Sequence, residues 1–210
     1  MENTYGHTVG VIGTGRLGSA IAALLARAGI ATVIGGRKNS AQIGASARSR
    51  GSALGAGAKQ AADAEIVVLA VPWSAAASVL GEVADWEGRI LIDATNVMAN
   101  GVSLDEDAGS SSEVLVTLAV GAHVVKCLNT LPAALLASGP DAAGGRRVLF
   151  MSGDHRRAKK EVARLLRHMG FAPIDLGGLA LGARLQSPGG PLFGIELVQP
   201  TLSPVDDASA

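Results

Sequence analysis

Between Val9 and Arg27 the chain runs from a short β-branched stretch, through three glycines, straight into an amphipathic stretch, "VGVIGTGRLGSAIAALLAR". No other feature restricts the fold as strongly. Val9 to Ile12 reads as a strand, and Leu17, Ala20, Ile21, Leu24 and Leu25 recur at helical spacing to about Arg27, before Gly29. Gly13, Gly15 and Gly18 between them form G-x-G-x-x-G. The first glycine permits the tight turn, the second lets the backbone approach a pyrophosphate, and the third lets helix and strand pack closely. The free N–H groups at the start of such a helix point at an anion. The spacing alone also occurs in ordinary Gly-rich turns. Its place between strand and helix, with more βαβ units after it, predicts a dinucleotide site.

Those further units follow. Thr32 to Ile34 reads as a second strand, with a weaker helix at about Ala41 to Arg50, and "EIVVLAVP", Glu65 to Pro72, reads as a continuous apolar strand buried on both faces. Next come a helix near Ala75 to Val83, a strand from Arg89 to Asn96, a helix from about Glu113 to Ala119 and a strand from His123 to Thr130. A strand from Arg147, an amphipathic helix from Arg156 to Met169 and the short strand "APIDLG" complete the pattern. This order predicts an α/β fold, a Rossmann-type doubly wound parallel sheet. A chain of 210 residues holds one such domain and a modest appendage. The expected division is a nucleotide-binding domain over 1–177 and a small C-terminal extension with a tail over 178–210. In that extension "PLFGIELV", Pro191 to Val198, is apolar enough to pack across a homodimer or to close the active site. The polar stretch Met98 to Ser111 reads as a loop, and the last ten residues as a loose tail.

Charge and cysteine content exclude several classes. Lys and Arg number 18, as do Asp and Glu, and no basic stripe carries interleaved aromatics, so nucleic acid is not an expected partner. Cys127 is the single cysteine, which rules out a disulfide scaffold and suits a reducing compartment, with the cytoplasm as the expected location. The first residues have no basic leader, and no apolar run approaches the roughly 20 residues that span a bilayer, so no membrane partner is expected. His7, His123, His155 and His168 show no ligand spacing, and no metal is expected. Ser110 to Glu113, "SSSE", fits a capping box for the following helix.

The second strand decides which dinucleotide is expected. An NAD site ends that strand in Asp or Glu, about 20 residues past the glycines, to hold the ribose hydroxyls. Here Gly35 and Gly36 occupy the place, and Arg37 and Lys38 follow. A carboxylate would repel a 2′-phosphate, whereas a guanidinium grips phosphate in a bidentate way and a lysine adds a point charge. The pattern predicts NADP(H); two solvated basic residues at a strand end are the alternative.

Together, "VIGTGRLGSAIA", "GGR", "VVLAVPW", "LIDATN", "GAHVVKCLNTLPA" and "DLGGLALGARL" resemble the short NADPH-dependent oxidoreductases typified by NADPH:coenzyme F420 oxidoreductase. The NADP-binding domain of the transmembrane metalloreductases is a relative of that family. The resemblance runs from about Val9 to Leu197. It implies a Rossmann domain with a small C-terminal extension, commonly a homodimer, that moves a hydride between nicotinamide and coenzyme F420 or a flavin. By position it implies that Thr14, Arg16 and Leu17 line the pyrophosphate turn and that Arg37 holds the 2′-phosphate. Val71, Pro72 and Trp73 follow the adenosine-to-nicotinamide path, and Asn96, Asn129 and Thr130 lie near the nicotinamide. Two residues depart from the family pattern on the substrate side: Val97, where Pro is frequent, and Cys127.

Hydride transfer between two stacked rings asks the protein for juxtaposition and exclusion of water rather than for a general base. No catalytic residue is therefore expected, and the small-molecule redox co-substrate is the expected partner. The bland readings are Trp73 as core cover, Asn96 as a cap or turn residue, Cys127 as a small buried hydrophobe and Lys126 as a structural residue inside a strand. Two rival functions stand beside the main one: reduction of a small imine or carbonyl substrate, and an NADP-binding redox sensor without turnover.

Overall fold

The computed structural model describes residues 5–36, 53–97 and 110–201. Along them run β1 (Val9–Ile12), α1 (Arg16–Arg27), β2 (Thr32–Gly35), β3 (Ala53–Ala56), α2 (Ala58–Ala62), β4 (Ile66–Leu69), α3 (Trp73–Gly81), β5 (Ile90–Asp93) and α4 (Ser111–Leu118). β6 (His123–Cys127), α5 (Ala133–Ala137), β7 (Asp141–Ala142), β8 (Gly145–Gly153), α6 (Arg156–His168), β9 (Ala172–Asp175), α7 (Leu179–Gln186) and β10 (Val198–Pro200) follow.

One sheet takes the order β10-β8-β6-β5-β4-β1-β2-β3, with β7 and β9 also paired to β8. From β3 to β6 each neighbouring pair is parallel, which is the Rossmann strand order. The period-2 alternation of strands sorts the apolar residues to two faces. Val9, Val11, Ile66, Val68, Ile92 and Val125 meet α1 and α6 in one buried cluster. Ile12, Val67, Leu69, Leu91 and Val124 meet α2, α3, α4 and α7 in another. On α6, Val162, Leu165 and Leu166 are buried, each stabilising the fold by roughly 1.5–3 kcal/mol.

The sheet departs from an all-parallel reading at β8, which pairs antiparallel with β6. A parallel return needs a long crossover, usually a full helix. Here the link carries only the five-residue α5 and a β7–β8 hairpin. The expected strand to Thr130 stops at Cys127, because Leu128 adopts φ +63° and leaves the extended region. Pro72 lies beyond β4 as the N-cap of α3, so that helix begins at Trp73 rather than Ala75. β3, "ALGA", lacks β-branched residues and takes strand form by pairing with β2. The capping box forms: Ser110 Oγ accepts from Glu113 N at 3.3 Å, and Ser110 N donates to Glu113 Oε2 at 2.6 Å. The helix expected over 41–50, most of the 98–111 loop and the tail after Thr201 lie outside the described residues. Among those that are described, no helix is long and apolar enough to cross a membrane.

Candidate functional site

The parallel registers set Gly35, Ile12, Leu69, Asp93 and Lys126 side by side in one row. Residues just past that row emerge together at the carboxyl edge of the sheet. They are Gly36 after β2, Gly13 to Leu17 after β1, Ala70 to Trp73 after β4, Asn96 beyond β5, and Asn129 and Thr130 beyond β6. Strand order reverses at β1 and β4, and that switch point is where open α/β sheets place a ligand.

The three motif glycines are held for different reasons. Gly13 has φ +129°, and a Cβ there would lie 2.2 Å from the Ala70 carbonyl oxygen. A Cβ on Gly18 would lie 2.0 Å from the Gly13 carbonyl oxygen. Both positions are closed by backbone. Gly15, the N-cap of α1, has ordinary dihedrals and nothing within 4 Å of its would-be Cβ. Its lack of a side chain keeps space open above the turn. α1 has neither a side-chain cap nor an acidic residue in its first turn, so its first N–H groups face outward for an anion. These are the features that a pyrophosphate-bearing cofactor requires. Gly10, which the motif does not include, admits α2: a Cβ there would sit 1.8 Å from the Ala61 carbonyl oxygen.

A cleft of about 570 Å³ opens on one side of the turn, walled by Thr14, Gly15, Gly36, Val71 and Pro72, and by Lys59 and Gln60 of α2. A Cβ at Gly36 would come within 2.9 Å of Thr14 Cγ2, so an acidic side chain there would crowd Thr14. Arg37 and Lys38 lie outside the described residues. Lys59 is a cation in this cleft that the sequence did not single out; only the return of β3 beside β2 brings α2 to the same edge.

On the other side of the turn a cavity of about 420 Å³ is lined by Arg16, Leu17, Asn96, Asn129, Thr130 and Phe193, among others. Asn96 Nδ2 donates to the Asn129 carbonyl at 2.9 Å, and Asn129 Nδ2 donates to Asn96 Oδ1 at 3.0 Å. The C-terminal segment closes the far wall: Gly194 N donates to the Thr130 carbonyl at 2.8 Å, and Gly194 lines the cavity beside Phe193. Trp73 lines neither space; it is half-buried against the core cluster that holds Leu80 and Trp86.

Lys126 points into the sheet. Its Nζ donates to Asp93 Oδ2 at 3.0 Å and to the Thr95 carbonyl at 2.6 Å, with no solvent exposure. Asp93 also accepts from Thr95 N, Thr95 Oγ1 and Ser112 Oγ. Cys127 is fully buried, and burial pushes its thiol up to about 12, so it stays neutral and unreactive near pH 7. Among the described residues no cluster of three or more His, Cys, Asp or Glu could hold a metal ion.

Comparison with known proteins points the same way. The family described as "NADP oxidoreductase coenzyme F420-dependent" matches residues 8–97. Metalloreductase STEAP3 of Rattus norvegicus is 28% identical over 187 residues, covering 85% of this chain and 36% of that protein. The chain thus spans about a third of that curated relative's length. The crystal structure of hypothetical protein SMa0349 from Sinorhizobium meliloti superposes with a TM-score of 0.85 at 38% identity, covering 95% of this chain and 96% of that one. A protein of Arthrobacter sp. FB24 assigned as an F420-dependent NADP reductase gives a TM-score of 0.67 at 28% identity, with 83% and 86% covered.

Proposed function

We propose that this chain, residues 8–97 of which match the family of coenzyme F420-dependent NADP oxidoreductases, binds NADP(H) and passes a hydride between nicotinamide and a deazaflavin or flavin-like ring, coenzyme F420 foremost. One observation carries the reading. The glycine turn is a shared wall, contributing Thr14 and Gly15 to the 570 Å³ cleft and Arg16 and Leu17 to the 420 Å³ cavity. A dinucleotide laid over the turn therefore reaches both spaces, its adenosine half towards Gly36 and its nicotinamide half towards Asn96 and Asn129.

Bound NADPH supplies the hydride. The first-turn N–H groups of α1 hold the pyrophosphate, and Arg37 and Lys38 hold the 2′-phosphate. Val71 and Pro72 wall the path between the halves, with Trp73 behind them. Asn96, Asn129 and Thr130 orient the redox end, and Phe193 with the segment after Gly178 covers the substrate side and excludes water. Among the described residues, Arg16 is the single ionisable side chain lining that cavity, and a guanidinium does not give up a proton. Reduction of an imine or carbonyl asks for a proton donor at the reacting atom, whereas a flavin-like ring delocalises the charge left by hydride transfer and takes up its proton afterwards, so the lining favours ring-to-ring transfer. In this reading a homodimer is the working unit, covering Ile195 and Leu197 of the C-terminal segment, which expose 45% and 42% of their surface.

The test is to mix protein and NADPH with oxidised coenzyme F420, FMN, a ferric chelate and a cyclic imine in parallel. Bleaching of the deazaflavin or flavin, with nicotinamide C4 deuterium delivered to the ring, is the expected result. Turnover of the imine alone would replace this reading by its rival, and tight NADPH binding with no turnover would favour the sensor.

A further inference from the structure

A run of carboxamides lies behind the 420 Å³ cavity. Gln186, the last residue of α7, is fully buried. Its Oε1 accepts from Ser152 Oγ of β8 at 2.8 Å. Its Nε2 donates to Asn129 Oδ1 at 3.2 Å, to the Phe150 carbonyl at 3.2 Å and to the Lys126 carbonyl at 3.4 Å. Asn129 answers by donating from Nδ2 to the Gln186 carbonyl at 2.9 Å and to Asn96 Oδ1.

Backbone carbonyls set the polarity of this run at each amide. Backbone carbonyls only accept, so those of Phe150 and Lys126 demand the amide nitrogen of Gln186. Gln186 then holds both ends of the Asn129 carboxamide: its Nε2 demands Oδ1 and its main-chain carbonyl demands Nδ2. Asn129 holds Asn96 in the same way, its Nδ2 on Asn96 Oδ1 and its main-chain carbonyl on Asn96 Nδ2. Gln186 is thereby coupled to a side chain in the cavity wall across 57 residues of chain to Asn129 and 33 more to Asn96.

Two backbone features serve the same arrangement. Leu128 is buried and takes φ +63°, a conformation that a non-glycine residue keeps only when its surroundings impose it. It turns the chain out of β6, so that Asn129 meets Gln186. At Gly182, one turn before Gln186, a Cβ would fall 2.3 Å from Ser152 Cβ; glycine there lets α7 sit against β8.

We propose that Gln186 is a positioning residue for the redox site: it sets the orientation of the Asn129 carboxamide and, through it, of Asn96, the two side chains offered to the cofactor's nicotinamide end. The role of those two side chains rests on the functional reading above, whereas their orientation by Gln186 does not.

Two arms separate these. The first uses protein labelled with ¹⁵N-asparagine and follows the side-chain NH₂ signals of Asn96 and Asn129, assigned through Asn96→Asp and Asn129→Asp. In the wild type both Asn129 protons are expected to exchange slowly with water, and in Gln186→Met both residues' signals should move. Fast exchange in the wild type, or unmoved signals in a folded variant, would overturn the positioning role even if one variant failed to fold. The second arm compares kinetics in Gln186→Met and in Gln186→Glu, which keeps the shape but replaces the donor by an acceptor. Turnover should fall by about tenfold to a hundredfold with the NADPH dissociation constant within about threefold, because misorientation taxes the reacting geometry more than binding. Binding and turnover that fall together, in step with the melting temperature, would mean Gln186 is structural only. If the wild type reduces no acceptor, the functional reading fails and the NMR arm still decides the role of Gln186.

Discussion

Lys126 Nζ lies 3.0 Å from Asp93 Oδ2 with both side chains shut off from solvent, and the two residues are register partners on adjacent parallel strands. The ammonium is therefore occupied inside the sheet, one step below the residues that wall the cavity. Breaking a buried pair by removing one partner leaves an uncompensated charge, at a cost of about 3–5 kcal/mol. Lys126→Ala is expected to lose stability on that scale in urea unfolding. A variant of wild-type stability that had lost only turnover would instead give the amine a chemical role.

Gly15 and Gly18 should respond differently to the same methyl group. Gly15→Ala meets nothing within 4 Å and costs about 1 kcal/mol or less as an N-cap exchange, yet it fills the space that the proposed site needs for a pyrophosphate. It should melt near the wild-type temperature and bind NADPH at least about tenfold more weakly. Gly18→Ala drives a Cβ into the Gly13 carbonyl, and both stability and binding should drop. Calorimetry with and without NADPH reads both quantities.

Arg37→Ala tests the choice of nucleotide. Charge-assisted hydrogen bonds contribute about 1.5–3 kcal/mol, so NADPH binding should weaken by roughly tenfold to a hundredfold while NADH binding hardly changes. Equal losses for both nucleotides in a fluorescence titration would remove Arg37 from the 2′-phosphate.

His123 predicts an acid-sensitive element at the opposite edge of the sheet. Its ring stacks on His155 with centroids 3.5 Å apart. Burial first, then His155 and Arg157, hold its pKa below the ordinary 6.5 against an opposing pull from Glu87. Between the depressed value and 6.5 the unfolded chain binds the extra proton and the folded one does not. The stability from the neutral ring is thus fully present above 6.5 and is lost as pH falls through that window. His123→Gln should flatten the dependence of melting temperature on pH between about 7 and 5; an unchanged slope would exclude His123 as its source.

How much of this was legible before folding varies by residue. Gly13, Gly15 and Gly18 announced a strand, a tight turn and a helix because each constraint acts within a few positions. The apolar run at Ile66 reads as a strand buried on both faces for the same local reason, those at Val9 and Leu91 read as strands, and Ser110 with Glu113 declares a helix start three residues wide. β3 is not legible in the sequence because "ALGA" has no strand preference of its own, and neither is the end of β6, because nothing in "CLNT" marks Leu128 for a positive φ.

From sequence alone, then, come the Rossmann sheet, the glycine turn and the missing acid at Gly36, all properties of short windows in which backbone sterics and side-chain period act directly. The tertiary structure alone decided that β8 runs against β6, that Lys126 spends its charge on Asp93, that Lys59 reaches the cleft and that Gln186 orients Asn129. Each of these depends on which groups long-range pairing brings within hydrogen-bonding distance. Residues 33 to 57 positions apart leave no local pattern, because their partnership exists only once the sheet has been assembled.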